Sequence, residues 1–346
     1  FMIDNIKIQN YKLIKELEID KFKNINIFTG ENNCGKSSIL EAIYLLLSQD
    51  YIKNFIYSYD VFRNFPLNKK NIQFVFNNFD LNKKINIFTR LNKDILLSLK
   101  ISLMQSSIVS ISDNLNENKD ITIHFNHKCQ KNEQENILTI REIKNIEEKT
   151  GVVERQYQAK EYVNKSNAIY FPVNIFSFES IYFLRNIRMA NKEEKLVKYL
   201  QIFDENIKDV EEINGEILIK SLDFNQKVPL KIFGYGFIKF FNYICALVSN
   251  EANYILIDEI ENGLHYKTTK KLIESLIELS RKNNIQMFIS THSLEFLSSV
   301  EKVANEKEFK DLGVFNIYRY KENVYCKHYQ SEQLKDLLNN GIELRR

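Results

Sequence analysis

The 346-residue chain reads as an α/β protein in two lobes: an N-terminal antiparallel β portion, a parallel sheet that carries a phosphate-binding loop, and a helical insertion. Three observations predict it. Short alternating strands open the chain. The run Gly30-Glu31-Asn32-Asn33-Cys34-Gly35-Lys36-Ser37 then stands between a strand and an apolar helix. Past residue 234, apolar strands alternate with helices, the pattern of a parallel doubly wound sheet.

The opening strands are marked by Ile3, Ile6 and Ile8, then Leu17 and Ile19, then Ile25, Ile27 and Phe28, the last running straight into Gly30. From Ser38 to Leu47 the residues are apolar on most faces, which predicts a buried helix just past the glycines. Residues 50 to about 165 carry strand-like runs at Ile72–Phe76 and Ile121–Phe125, with exposed loops expected at 114–120 and 128–135. Between Asn191 and Ile213, the residues Leu196, Tyr199, Leu200 and Ile207 fall near helical spacing. An apolar helix is expected at Phe237–Val248, strands at Tyr254–Ile257 and Ile285–Ser290, and a helix near Lys267–Leu279. The chain thus divides into residues 1–50, a lobe with the phosphate loop; 51–165, a β-rich insertion or continuation of it; 166–233, a helical segment; and 234–346, a C-terminal lobe.

Hydrophobic residues at 44% and charged residues at 27% argue against disorder, and no apolar run approaches the ~20 residues of a membrane span. No membrane association is expected. The start, Phe1-Met2-Ile3-Asp4, shows no basic or apolar signal region. Cys34, Cys129, Cys245 and Cys326 stand apart without paired spacing, so free thiols and a cytoplasmic protein are expected. A net charge of +3 neither demands nor forbids nucleic acid. Glycine is more informative: there are nine, and Gly30, Gly35, Gly234, Gly236 and Gly263 fall in three short segments. Each marks a backbone that needs special torsions or close approach to a ligand.

The run Gly30 to Ser37 fits the P-loop pattern in its required strand-helix context; with this composition such a run arises by chance on the order of 0.002 times. Its N–H groups would surround phosphate oxygens, Lys36 would neutralise the β/γ charge, and the Ser37 hydroxyl would ligate magnesium. The apolar strand Tyr254–Ile257 ends in Asp258-Glu259, placing Asp258 as metal ligand and Glu259 as general base for the attacking water. After the next strand, His292 is placed to sense the γ-phosphate. Gly234-Tyr235-Gly236 opens the apolar helix, where free N–H groups could bind an anion or form a simple helix cap. His124, His127 and Cys129 have no fourth ligand nearby and are read as exposed loop residues, not a metal site.

With these motifs in order, the chain resembles the ABC-type ATPases of the SMC, RecF and OLD superfamily, over about residues 1–50 and 165–346. Asn10-Tyr11-Lys12 looks like the Asn-Phe-Lys/Arg near the start of these proteins, Gly30 to Ser37 is similar to their Walker A, and Asp258-Glu259 to their Walker B. Asn262-Gly263-Leu264-His265 occupies the D-loop place and His292 that of the switch histidine. Compact OLD-like AAA-type ATPases are most similar, through Glu261 to His265 and Gly341 to Arg345. The family's Gly-Asp-Gly signature falls on Gly234-Tyr235-Gly236 with Lys239, so Tyr235 departs from it. Gln73 and Asn77 are candidates for the Gln loop, and no TOPRIM-like acidic constellation follows His292.

The resemblance implies ATP and Mg2+ as ligands. The contacts it implies are Asn10, Lys12, Gly30, Asn32, Asn33, Gly35, Lys36, Ser37 and Ser38, with Gly234, Gly236 and Lys239 closing the site from a second head. It places Glu259, Lys36 and His292 in catalysis and Ser37 and Asp258 on the metal. It further implies a homodimer of ATP-sandwiched heads, open to higher assembly, that serves as a nucleotide-controlled switch in anti-phage defence with a separately encoded effector such as a nuclease. Two other readings stay open. One is a RecF-type maintenance ATPase that closes on DNA, with Lys69-Lys70 and Lys83-Lys84 as candidate contacts; the other is an ATP-bound scaffold that hydrolyses little.

Overall fold

A computed structural model describes residues 2–48, 50–91, 95–103, 121–129, 132–145, 150–158, 167–173, 178–264, 266–330 and 333. In chain order the first elements are β1 (Asn5–Tyr11), β2 (Ile14–Asp20), β3 (Ile25–Thr29), α1 (Lys36–Leu47) and α2 (Tyr51–Tyr57). Strands β4 (Ile85–Leu91), β5 (Ile95–Leu103), β6 (Ile121–Cys129), β7 (Asn132–Asn145), β8 (Thr150–Gln158) and β9 (Ala168–Phe171) follow. Next come α3 (Phe178–Met189), α4 (Glu193–Phe203), β10 (Ile207–Ile213), β11 (Glu216–Ser221) and β12 (Val228–Pro229). The chain continues through α5 (Tyr235–Ser249), β13 (Tyr254–Ile257), α6 (Tyr266–Asn283), β14 (Gln286–Ser290), α7 (Leu294–Glu306), β15 (Leu312–Tyr320) and β16 (Asn323–Gln330).

These elements form two compact units. The first takes residues 1–22, 30–168 and 317–327; the second takes 23–29, 169–316 and 328–346. The first unit holds a seven-stranded sheet in the order β2-β1-β4-β5-β6-β7-β8, antiparallel throughout, as the alternating sequence predicts. Helix α1 lies against β1, β4 and β5. Its Ile39, Leu40, Ile43, Leu46 and Leu47 are fully buried. Each such side chain contributes roughly 1.5–3 kcal/mol relative to exposure, so the helix that follows the P-loop is anchored along its length.

The second unit is built on the parallel sheet. Strands run in the order β16-β15-β3-β14-β13-β9, with β13 parallel to β14, β14 to β3, and β3 to β15. Residues of β3, β13 and β14 are buried on both faces, as continuous apolar runs require in a helix-covered sheet. Ile25, Ile27, Ile255, Ile257, Met287 and Ile289 share one core with Phe240, Phe241 and Ile244 of α5 and Leu272 and Leu276 of α6. A separate three-stranded sheet, β10-β11-β12, stands between α4 and α5 in the chain.

Three expectations need correction. Ile72–Phe76 is not a strand: two 3-10 turns cover Ile72–Val75 and Asn77–Phe79, because Phe74 and Phe76 N–H groups turn back onto the carbonyls of Asn71 and Gln73. Phe76 keeps only a single bridge to Tyr11. Ile207 is not helical, since α4 stops at Phe203 and a turn in which the Asp204 carboxylate accepts the Asn206 N–H (3.0 Å) leads into β10. Lys128 and Asn132 to Glu135 lie in the paired strands β6 and β7 rather than in a loop. The expected loop at 114–120 falls outside the described residues, as do His265 and Gly341 to Arg345.

Candidate nucleotide site

In the first unit, Gly30 to Ser37 forms a loop that runs from the end of β3 to the first turn of α1. Gly30 sits at φ 141°, where a Cβ would stand 2.0 Å from the Ile317 carbonyl oxygen, and Gly35 caps α1 at φ 110°. No side chain could occupy Gly30 without moving that backbone, and the α1 N-terminus has no side-chain cap of its own. Lys36 is buried, and its ammonium donates to the Gly30 carbonyl at 2.9 Å and the Glu31 carbonyl at 2.7 Å. This arrangement fits a phosphate: an uncapped helix start, a glycine-lined cradle and a cation in one loop. Asn32 and Asn33 are exposed, Asn33 with φ 61°; Ser37 is half-buried and Ser38 buried.

Asn10 and Lys12 are held by their own chain. Asn10 adopts φ 59° at an irregularity in β1, and its amide donates to the Lys84 carbonyl at 3.0 Å. Lys12 turns the β1–β2 hairpin at φ 51°, and its ammonium pairs with the carboxylate of Glu41 on α1. Arg63 joins the same carboxylate, its Nη2 2.6 Å and its Nε 2.8 Å from Oε1, while the Tyr11 hydroxyl donates to Oε2 at 3.3 Å. Glu41 is 2% exposed. Burial alone would raise its carboxyl, yet the Lys12 and Arg63 cations hold it below its ordinary value. Lys12 also lies over the rings of Tyr59 (4.6 Å) and Tyr11 (5.1 Å). Sequence reading missed Glu41 and Arg63. The available signal was a lone acid in an otherwise apolar helix.

Of the Gln-loop candidates, Asn77 holds that turn and Gln73 bonds within its own segment. Asn77 donates to the Lys12 carbonyl at 2.8 Å, and Gln73 to the Lys70 carbonyl at 3.0 Å. His124, His127 and Cys129 lie on β6, not in a loop. His124 Nδ1 stands 2.7 Å from Glu135, whereas His127 is buried and stacks on Tyr51 at 5.0 Å. Among the described residues no cluster of His, Cys, Asp and Glu is arranged to hold a metal by itself.

In the second unit, the carboxyl ends of adjacent strands β13 and β14 carry Asp258-Glu259 and Thr291-His292. The buried Asp258 carboxylate accepts the Ser290 hydroxyl and, at 3.2 Å, that of Tyr170. Ser290 Oγ in turn accepts the Glu259 N–H at 2.8 Å, so one hydroxyl on β14 fixes both acids of β13. Glu259 takes φ 47°, uncommon for a non-glycine residue, and its Oε2 accepts the Asn262 amide at 2.6 Å. His292 donates its backbone N–H to Glu261 Oε1 at 2.7 Å and sets Nδ1 3.0 Å from the same oxygen. Ser290, Tyr170 and Glu261 had no assigned role in the sequence, since their function is visible only through their contacts.

The start of α5 packs on the Asn262-Gly263-Leu264 turn. A Cβ on Gly236 would lie 2.5 Å from the Gly263 carbonyl oxygen, and one on Gly263, at φ 79°, would lie 2.4 Å from the Tyr235 ring. Tyr235 donates its hydroxyl to the Val173 carbonyl at 2.9 Å. Lys239 is 4% exposed, with its ammonium 5.2 Å over the Tyr235 ring. Its amine has no hydrogen-bond acceptor among the described residues. Burial lowers its pKa, opposed by the carboxylates of Glu261, Glu259 and Asp258. Gly234 is exposed, and a Cβ there would meet nothing.

Comparison with known proteins identifies relatives of the chain. Residues 2–181 match the family described as "AAA ATPase domain", and residues 132–298 match one described as "AAA domain, putative AbiEii toxin, Type IV TA system". An "ATP/GTP phosphatase" of Helicobacter pylori is 30% identical over 369 aligned positions, which cover 99% of this chain and 100% of that protein. The "DNA replication and repair protein RecF" of Lactobacillus acidophilus is 46% identical over 44 residues, or 13% of this chain and 12% of that one. Among solved structures, an SMC head bound to the C-terminal winged-helix domain of ScpA has a TM-score of 0.53 at 11% identity, covering 97% of this chain and 100% of that chain. An SMC head with an extended coiled coil, bound to the C-terminal domain of ScpA derived from Pyrococcus furiosus, gives 0.52 at 9%, covering 98% of each. These two likenesses concern the fold. The chain belongs to the AAA ATPase domain family.

Proposed function

We propose that this protein binds and hydrolyses ATP with magnesium and works as a nucleotide-controlled switch. The observation that carries the reading is the first unit's P-loop, in which Lys36 is buried and folded back onto the Gly30 and Glu31 carbonyls at an uncapped helix start. Those carbonyl bonds hold the cation in place for phosphate oxygens to replace them. In this reading Ser37 and Asp258 hold the metal, which would neutralise charge on the transferred phosphoryl group. Glu259 takes the proton from the attacking water, and His292, set by Glu261, senses the γ-phosphate. The ATP/GTP phosphatase name of the Helicobacter pylori relative supports hydrolysis as the reaction.

The wider proposal is a homodimer in which nucleotide is held between two heads, the P-loop of one meeting the Gly234–Gly236 turn and Lys239 of the other. Hydrolysis would time the release of a separately encoded effector such as a nuclease, in defence against phage; the match to a toxin–antitoxin AAA description supports that setting. A second reading, a DNA-linked maintenance ATPase, is favoured by the 44-residue match to RecF. Duplex DNA that stimulates turnover in a salt-dependent manner selects it.

The direct test is ligand-dependent thermal stability of the full chain. ATP with magnesium at 100 times its Kd stabilises a one-site protein by about 2.7 kcal/mol. Lys36→Ala is expected to abolish that gain while leaving the melting temperature without ligand near wild type. An unchanged gain in Lys36→Ala overturns the proposal.

A further inference from the structure

Two buried atoms of charged side chains in the second unit are not used by the motifs: the Lys239 ammonium nitrogen and Glu261 Oε2. Neither has a hydrogen-bond partner among the described residues. A buried charge without a partner disfavours the fold, so each such atom calls for a task at the site that keeps it. Both belong to the segments that surround Asp258 and Glu259, Lys239 on α5 and Glu261 two residues after Glu259.

The backbone brings them together. The close approach of Gly236 to the Gly263 carbonyl seats α5 on the turn that follows Glu261. Lys239 lies three residues past Gly236, on the same face of the helix. Its ammonium rests over the Tyr235 ring, and the Tyr235 hydroxyl is fastened to the Val173 carbonyl, so the seat of the cation is fixed from that side. Of the three carboxylates that act on this ammonium, Glu261 acts most strongly, ahead of Glu259 and Asp258. Glu261 divides its two oxygens. Oε1 accepts the His292 backbone N–H at 2.7 Å and stands 3.0 Å from His292 Nδ1, whereas no donor among the described residues reaches Oε2.

We propose that Lys239 is a positioning residue for its own chain: its charge draws Glu261 Oε2 toward α5, which keeps Oε1 turned to His292 and so sets the histidine for the γ-phosphate. The inference rests on the ATPase reading above, and it adds an own-chain task to the lysine that this reading assigns to the second head. No hydrogen bond is required for it, because in a site shielded from water a cation acts on a carboxylate beyond bonding distance. It also accounts for the burial of Lys239: a lysine 4% exposed and seated on its own Tyr235 is placed to act inside its chain.

The experiment is single-turnover hydrolysis of ATP with magnesium by the full chain, with ATP affinity from calorimetry and melting temperature alongside, in wild type, Lys239→Met, Lys239→Gln, Glu261→Gln and the double variant Lys239→Met/Glu261→Gln. Both Lys239 variants are expected to slow hydrolysis by roughly 10- to 100-fold and to bind ATP within about twofold of wild type. Neither is expected to melt lower than wild type, since each removes an unpartnered buried charge. The double variant is expected to be no slower than Glu261→Gln alone, because residues that act through one another do not add. Mixed in equal amounts with Lys36→Ala chains, Lys239→Met is expected to recover nothing, since every intact P-loop still carries the change in its own chain. A wild-type rate in either Lys239 variant, a double variant slowed by the product of the single effects, or ATP binding weakened as much as hydrolysis overturns the inference while the ATPase reading stands. So does a lower melting temperature in both variants, which makes the role structural, or recovery in the mixture to about a quarter of wild type, which gives Lys239 to the second head alone. Wild-type protein that does not hydrolyse ATP fails the ATPase reading, and the inference falls with it.

Discussion

Glu259 and Asp258 are adjacent in sequence yet held by different bonds, and that separation of tasks leads to a prediction. Asp258 is buried and accepts two hydroxyls, a setting that fits the metal-ligand role proposed for it. Glu259 is more accessible and is kept at φ 47° by its N–H on Ser290 and by the Asn262 amide. Glu259→Gln preserves shape and can still accept from Asn262, but cannot take a proton from water. Single-turnover hydrolysis is expected to slow by roughly 100-fold or more with ATP affinity within a factor of a few; wild-type turnover would assign the base to another group. At this scale the P-loop and the Asp-Glu pair were legible because their chemistry depends on neighbours in sequence. Glu41 was not: its partners Lys12 and Arg63 are 29 and 22 positions away and become partners only through folding. Tyr235 shows the same limit. Its ring explains why residue 263 is glycine, a fit between residues 28 positions apart, as 263 minus 235 gives.

Elements were legible where their hydrophobic period was long and lost where a few apolar residues could serve two geometries. The α5 helix and strands β13 and β14 follow their patterns, whereas Ile72, Val75 and Phe76 bury themselves through turns of about three residues instead of strand alternation. The contact between β6 and the end of α1 gives a pH prediction. His127 on β6 is 1% exposed, stacks on Tyr51, and points Nε2 to the Leu46 carbonyl at 3.4 Å. Desolvation lowers its pKa from 6.5 to about 4, outweighing the Leu46 contact that raises it. The unfolded chain therefore binds a proton near pH 6.5 that the folded chain refuses until about 4. The associated stability is complete above pH 6.5 and declines as pH falls through that window, by about 3 kcal/mol in total. His127→Phe keeps the stack and removes the titration. Urea unfolding of the variant at pH 7 and pH 4.5 is expected to show a smaller acid loss than wild type by most of that amount; an identical loss would place the titration elsewhere.

For the whole molecule, the class of fold was readable, but its interleaving was not. Each unit is assembled from three stretches of chain, and β15 returns to lie beside β3, almost 290 positions earlier by 312 minus 25. Periodicity reports which face of a strand is buried, not which strand comes next to it. The proposal at this scale is that activity belongs to a pair of chains, and complementation tests it. Lys36→Ala disables the P-loop of one chain. For the other chain Gly236 is a poor choice, since a Cβ there would strike its own Gly263 carbonyl at 2.5 Å and damage the same unit. Gly234 has open space around its Cβ position and lies at the exposed start of α5, so Gly234→Glu adds a negative charge where an incoming phosphate would be bound, without a clash inside its own chain. Each variant alone is expected to be inactive. Mixed in equal amounts, half of the dimers pair unlike chains, and each of those has one site with an intact P-loop facing an intact α5 start. Activity should therefore return to about a quarter of wild type if the dimer is symmetric and its sites act independently. Mixing that restores nothing, with both variants folded and light scattering showing that they associate, would confine catalysis to a single chain.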